Sequence, residues 1–288
     1  MADFNYHNLK FELHEFGNCK IALRQIGEGS DLLLIHGFPT HGYTWRKILP
    51  YLTPHFRCHI VDLPGLGDSS WTKETDFSSE AQADRLIDLM QQLGIKRYAI
   101  AAHNSGATVS RIMALKQPEA VSHLVVFNTE MPMHRPPWIP FYQAIGLWPL
   151  VPYVIRQLLK AKWFVQSPMG FREFYSNKQL LKVDENISPY TNPVVKSHEK
   201  AIGAFKYLKG IDWKWVDRFE KEHANIRAEI LFLWGVNDKT FPLKYALKMM
   251  NQFEGNKNAQ LIEIKNASLL PHEEQPKETS QLMFDFLL

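Results

Sequence analysis

Tyr98-Ala99-Ile100-Ala101-Ala102-His103-Asn104-Ser105-Gly106-Ala107 is the stretch on which the fold turns. Its first half is a continuous apolar run, which suits a strand buried on both faces rather than one with a wet side. Ala102 and Gly106 then flank Asn104 two residues to either side. Small residues so spaced permit a sharp strand-to-helix turn with the central side chain exposed at its tip. Residues 106–117 continue as an amphipathic helix, so strand, turn and helix follow one another directly.

Working outward, the runs at 32–35, 58–61, 124–127 and 230–233 are equally apolar. With 98–101 they predict a parallel sheet, and helix-length segments such as 79–93 and 106–117 supply the crossovers that parallel strands require. Short runs at 11–15 and 20–25, parted by Phe16-Gly17-Asn18, predict an antiparallel hairpin at the sheet's edge. The expected fold class is α/β, a mostly parallel, doubly wound sheet. Between 132 and 219 the pattern changes to a Pro-punctuated stretch holding Trp138, Trp148, Trp163, Trp213 and Trp215. It reads as a helical cap inserted into a core made of 1–131 and 220–288.

Three further motifs follow predicted strands or precede the last helix. His36-Gly37-Phe38-Pro39 is a tight loop able to aim the Phe38 N–H into the crevice at the strand ends. Trp234-Gly235-Val236-Asn237-Asp238 carries an acid, as does Asn128-Thr129-Glu130. Ser268-Leu269-Leu270-Pro271-His272-Glu273-Glu274 lies before the last helix.

The composition, 45% hydrophobic and 22% charged over 288 residues, is that of a globular protein, and a formal charge of +3 does not suggest a nucleic-acid surface. Cys58 sits in an apolar run and is expected buried, and Cys19 peripheral, with no disulfide. The first 17 residues lack the apolar core of a secretory signal, so a cytoplasmic location is expected. The longest apolar stretch, 144–155, is broken by Pro149 and Pro152 and falls short of the roughly 20 residues that cross a bilayer, so no stable membrane insertion is expected. The histidines show no metal-ligand spacing. No cofactor or metal is expected, the partner expected is a small apolar molecule, and a homodimer is left open.

Taken together these motifs resemble the α/β-hydrolase fold family, in the branch of epoxide hydrolases and haloalkane dehalogenases, over nearly the whole chain. In that branch an Asp at the elbow attacks a substrate carbon, a His activates the water that releases the ester, and an acid orients the His. The resemblance sets Asn104 at the nucleophile position. The family's Gly-His-x-Pro-His-x-Glu pattern, aligned on Pro271-His272 and Glu274, sets Leu269 at the catalytic histidine. His272 then matches the second histidine, about one helical turn further on, and Asp238 or Glu130 matches the acid.

The resemblance further implies backbone N–H groups of Phe38 and Ser105 as donors to a substrate oxygen, and Trp138 and Tyr142 beside the substrate. Phe38 and Ser105 stand where many dehalogenases keep a halide-binding Asn and Trp, which disfavours halide release. Tyr142, Tyr153, Tyr175, Tyr190 and Tyr207 are candidates for the cap tyrosines that protonate an opening epoxide. The function expected is hydrolysis of a small apolar substrate, with Asn104 binding it or positioning water and His272 with Asp238 or Glu130 moving protons. The alternative is a binding protein that keeps the pocket without the chemistry.

Overall fold

A computed structural model describes residues 5–146, 148–253 and 258–288. Residues 1–4 of the N-terminal reading and Leu147 of the apolar stretch lie outside the described residues. The strands are β1 (Glu12–Phe16), β2 (Cys19–Ile26), β3 (Ser30–Ile35), β4 (Phe56–Asp62), β5 (Ser70–Trp71), β6 (Tyr98–His103), β7 (Val121–Phe127), β8 (Glu229–Gly235) and β9 (Ala259–Ile264). They form one sheet in the order β1-β2-β4-β3-β6-β7-β8-β9, with β5 paired to β2. The β1–β2 hairpin and the β2–β4 pair are antiparallel; every pair from β4 across to β9 is parallel.

Both faces of the sheet are buried, which is why the runs 32–35, 98–101, 124–127 and 230–233 are apolar at every position. On one face Leu33, Ile35, Ile100, Val126 and Phe232 meet α2 (Ser79–Gln92) and α3 (Ser105–Lys116). On the other, Leu32, Leu34, Ala101, Val125, Leu231 and Leu233 pack with Trp45, α1 (Leu49–Leu52) and Met283 of the C-terminal helix. The alternation of neighbours such as Leu32 and Leu33 between the two cores is the period of two that an extended chain imposes.

Between β7 and β8 the chain forms a run of helices: α4 (Trp138–Ile145), α5 (Val151–Leu158), α6 (Lys162–Val165), α7 (Ser188–Lys196), α8 (His198–Gly210) and α9 (Trp213–Glu222). After β8 come α10 (Leu243–Met250), α11 (Pro271–Glu274) and α12 (Pro276–Leu287). No helix among the described residues is long and apolar enough to cross a membrane.

Two readings need correction. Cys19 is not peripheral: it is buried, because the β1–β2 turn folds over it and leaves its Sγ 3.5 Å from the Phe16 carbonyl. Strand β9 was not expected, because it lies at the edge of the sheet and keeps charged Glu263 exposed between partly buried Ile262 and buried Ile264.

Candidate functional site

The parallel strands deliver their C-terminal ends to one edge of the sheet, where folds of this class bind ligands. β3 brings His36–Thr40, β6 brings Asn104, β7 brings Asn128–Glu130, β8 brings Asp238, the loop after β9 brings Leu269, and α11 beyond it carries His272.

Asn104 sits at the tip of the turn with φ 55° and ψ −130°, a strained conformation outside the left-handed helical well. The turn survives because its neighbours are small. A Cβ on Gly37 would lie 2.3 Å from the Asn104 Cβ, and one on Gly106 would lie 2.2 Å from the His36 carbonyl oxygen. The backbone is then pinned from below: Asn104 N–H donates to the Asn128 carbonyl at 3.0 Å, and Thr129 Oγ1 donates to the Asn104 carbonyl at 2.9 Å.

The Ser105 N–H, first of α3 and without an intrahelical acceptor, donates to Asn104 Oδ1 at 2.6 Å. The Phe38 N–H donates to Ser105 Oγ at 3.1 Å and, at the longer distance of 3.4 Å, to Asn104 Oδ1. Both groups expected to polarise a substrate oxygen are therefore engaged by side chains of the elbow itself. These donors fix the amide with Oδ1 inward, leaving Nδ2 as the polar atom offered to the crevice. Ser105 Oγ is 3.0 Å from the Tyr207 hydroxyl, whose ring stacks on Phe38. Tyr207 is one of the five candidate tyrosines, and its contact with Ser105 has no signal in the spacing.

The acids stand behind this surface. Asp238 Oδ2 accepts from Asn128 Nδ2 at 2.7 Å and Oδ1 from the Thr240 N–H at 2.7 Å. Burial pushes its carboxyl up to about 6 against the pull of these donors. Glu130 is wholly buried beneath α3, where its Oε2 accepts from Thr108 Oγ1 at 2.9 Å, and burial raises it too.

His272 is also fully buried, 4.7 Å from Trp45 and 5.1 Å from both His103 and Phe127 between ring centroids. Its Nε2 lies 2.7 Å from Thr44 Oγ1, and burial holds it neutral, well below the usual imidazole range. The neighbouring Glu273 is a hub that sequence reading missed. It takes Arg46 Nη2 at 2.9 Å, Tyr175 OH at 2.9 Å and the hydroxyl of Tyr190. Arg46 overcomes the desolvation of this carboxylate and lowers it to about 2. A buried carboxylate in a run such as Pro271-His272-Glu273-Glu274 resembles a solvated helix start, so no pattern announced it.

Above the elbow is a cavity of about 610 Å³ between the sheet's edge and the helices 138–208. Phe38, Asn104 and Leu269 line it from the core, and Trp138, Tyr142 and Tyr190 from the helical side. Of the residues expected from sequence, Phe38, Asn104, Trp138, Tyr142 and Leu269 therefore share one surface. Ser105, Glu130, Asp238 and His272 are absent from that lining, as is every histidine among the described residues. His103 and His36 serve instead as struts: His103 Nε2 meets the Leu269 carbonyl at 2.9 Å, and His36 Nε2 accepts from the Leu63 N–H at 2.8 Å. No group of three or more His, Cys, Asp or Glu among the described residues is arranged to hold a metal.

Residues 32–276 match a family described as alpha/beta hydrolase fold. A pimeloyl-[acyl-carrier protein] methyl ester esterase of Photobacterium profundum is 30% identical over 276 residues, covering 91% of this chain and 96% of that protein. Epoxide hydrolase 3 of Siraitia grosvenorii is 24% identical, covering 93% of this chain and 95% of its own. A fluoroacetate dehalogenase of Burkholderia sp is 32% identical over 163 residues, covering 54% of this chain and 47% of that protein. The relatives thus include an esterase beside the epoxide hydrolase and dehalogenase that the motifs suggested. Sheet order, elbow and matched span agree, and the chain belongs to the α/β-hydrolase fold family.

Proposed function

We propose that this member of the family binds an apolar small molecule in the pocket over Asn104 and does not carry out the covalent hydrolytic cycle. The observation that carries the reading is that Asn104 and Leu269, the positions the resemblance sets at the nucleophile and the catalytic histidine, line the pocket, while no histidine among the described residues does. An amide is a poor nucleophile, because its nitrogen lone pair is delocalised into the carbonyl. A leucine cannot activate water. The wall offers aromatic and aliphatic side chains such as Phe141, Phe164 and Phe205, which suit a ligand with an extended hydrocarbon body. Asn104 Nδ2 supplies one donor for a polar group on that ligand.

The reading in which His272 replaces the missing base has less in its favour. Its Nε2 is engaged by Thr44, and Nδ1 is enclosed without a partner among the described residues. Ser105 as nucleophile meets a similar objection, since its Oγ is held between the Phe38 N–H and Tyr207.

The test is a panel of long-chain epoxides, short and long esters and haloalkanes, read both by thermal shift and by product analysis. Ligands that raise Tm without yielding product support binding. Turnover by the unmodified chain overturns the reading. An Asn104→Asp, Leu269→His variant run beside it reports whether the pocket still accepts the chemistry once both groups are restored.

A further inference from the structure

The surface around the pocket mouth is unusually apolar and carries a charge bias of its own. Trp138 and Phe141 on α4 and Met169 beyond α6 line the pocket, yet are 41%, 52% and 58% exposed, so they form its rim. On the same stretch of chain Trp148, Leu150 and Trp163 are 72%, 73% and 69% exposed. These three have no part in enclosing the pocket. Large apolar groups exposed together mark a surface that meets something other than water.

The charge distribution points to what that is. Residues 131–172 contain five basic residues and no acidic one; Arg135, Lys162 and Arg172 pair with Asp217, Asp184 and Glu173 from outside the stretch, and Arg156 and Lys160 have no acidic partner among the described residues. Residues 132–219 hold 13 Lys and Arg against 6 Asp and Glu, net +7, and the rest of the chain holds 20 against 24, net −4. The near-neutral total hides a net-positive helical segment and a net-negative remainder. Exposed tryptophans beside cations such as Arg156 and Lys160 are the combination that settles into the headgroup region of an anionic bilayer. A second copy of this chain fits less well. A symmetric dimer through this patch would bring net-positive faces together.

We propose that the surface presented by Trp138 and Phe141 of α4 with Trp148, Leu150 and Trp163 docks peripherally on an anionic lipid surface, with the pocket mouth towards the lipid. The contact is interfacial: tryptophan rings enter among headgroups while the protein stays outside the hydrocarbon. It does not depend on whether the pocket turns over its ligand, because none of Trp148, Leu150 and Trp163 lines the pocket.

The full chain is mixed with vesicles of phosphatidylcholine alone and of phosphatidylcholine with phosphatidylserine, and the bound fraction is measured by co-sedimentation at low and high salt. Binding to the mixed vesicles is expected on the order of tenfold stronger, and high salt should weaken it. A Trp148→Ser, Leu150→Ser, Trp163→Ser variant should bind at least about tenfold more weakly with its Tm unchanged, since those side chains are exposed. A Lys160→Glu, Lys162→Glu variant should lose the preference for phosphatidylserine. No binding by the full chain, binding indifferent to phosphatidylserine, or full binding by the triple variant would each overturn the proposal. A dimer in solution that the triple variant dissolves, without vesicle binding by the parent, would assign the patch to self-association instead.

Discussion

Acidification from pH 7 to 5 should destabilise this protein by several kcal/mol, through four histidines that the fold holds neutral. His36 and His103 are fully buried, and burial lowers them to about 4 and about 3. His223 and His272 are lowered well below the ordinary value by the same cause. An unfolded chain protonates these groups near pH 6.5, whereas the folded chain does not, so their stability contribution is complete above pH 6.5 and is lost as pH falls towards the folded values. For His36 and His103 the loss between pH 7 and pH 5 is about 2 kcal/mol each, about 4 kcal/mol for the pair, and His223 and His272 act in the same direction. Asp238, raised to about 6, works in the opposite sense and returns about 1 kcal/mol over the same interval. Glu130, also raised, helps in the same direction. The remaining loss is a substantial fraction of the ~5–15 kcal/mol of a typical domain. Urea unfolding at pH 7, 6 and 5 should show the midpoint collapsing, with proton uptake on unfolding of more than one per molecule below pH 6. Stability unchanged within about 1 kcal/mol across that range would refute the argument.

Three further outcomes follow from the same geometry. Asn104 should remain an amide, because the Ser105 N–H points at Oδ1 at 2.6 Å and its nitrogen is fixed at the start of α3 rather than free to attack Cγ; intact mass after prolonged incubation should show no 1 Da gain, and a gain would restore the carboxylate and sink the idea. Gly106→Ala should destabilise by about 2–3 kcal/mol in thermal or urea unfolding, since its Cβ would meet the His36 carbonyl oxygen at 2.2 Å. Arg46→Met should cost about 3–5 kcal/mol by leaving Glu273 charged and buried with only hydroxyl donors. Because Tyr175 and Tyr190 belong to the helical segment, the same variant should also become more sensitive to limited proteolysis there, and a protease pattern unchanged from the parent would count against that tie.

How much of this could be read beforehand depended on whether a constraint was local. The runs at 32–35 and 98–101 declared their strands because burial on both faces demands apolarity at every position, and the elbow declared itself because a sharp turn demands Ala102 and Gly106 around Asn104. Strand β9 lacked that signature because Glu263 faces water. The helices of 132–219 were legible only as a change in composition, since their caps and Pro-rich starts are irregular. The site divided in the same way. Phe38, Asn104 and Leu269 were reachable from motif spacing, because each stands at the end of a strand or in a loop with a fixed place in the fold. The hub at Glu273 joins Arg46, Tyr175 and Tyr190 across 227, 98 and 83 residues of chain, and no pattern within a window can anticipate such a meeting. Sequence also offered His272 as a base, but could not reveal that Trp45 and Thr44 enclose it.

The hydrogen bond from Ser105 N–H to Asn104 Oδ1 makes the elbow a protein with its own tethered ligand. A covalently attached acceptor competes at an effective concentration of at least the millimolar range, without any loss of translational freedom on binding. A free carbonyl or carboxylate arriving in the pocket must displace it to reach the same donors. Hydrocarbon and weakly polar guests face no such competitor. On the proposed binding reading, an oxygen-headed guest reaches these two donors only by displacing Oδ1 and otherwise meets the Asn104 Nδ2 donor, so a chain that lost this one acceptor would gain a second way of holding such a guest.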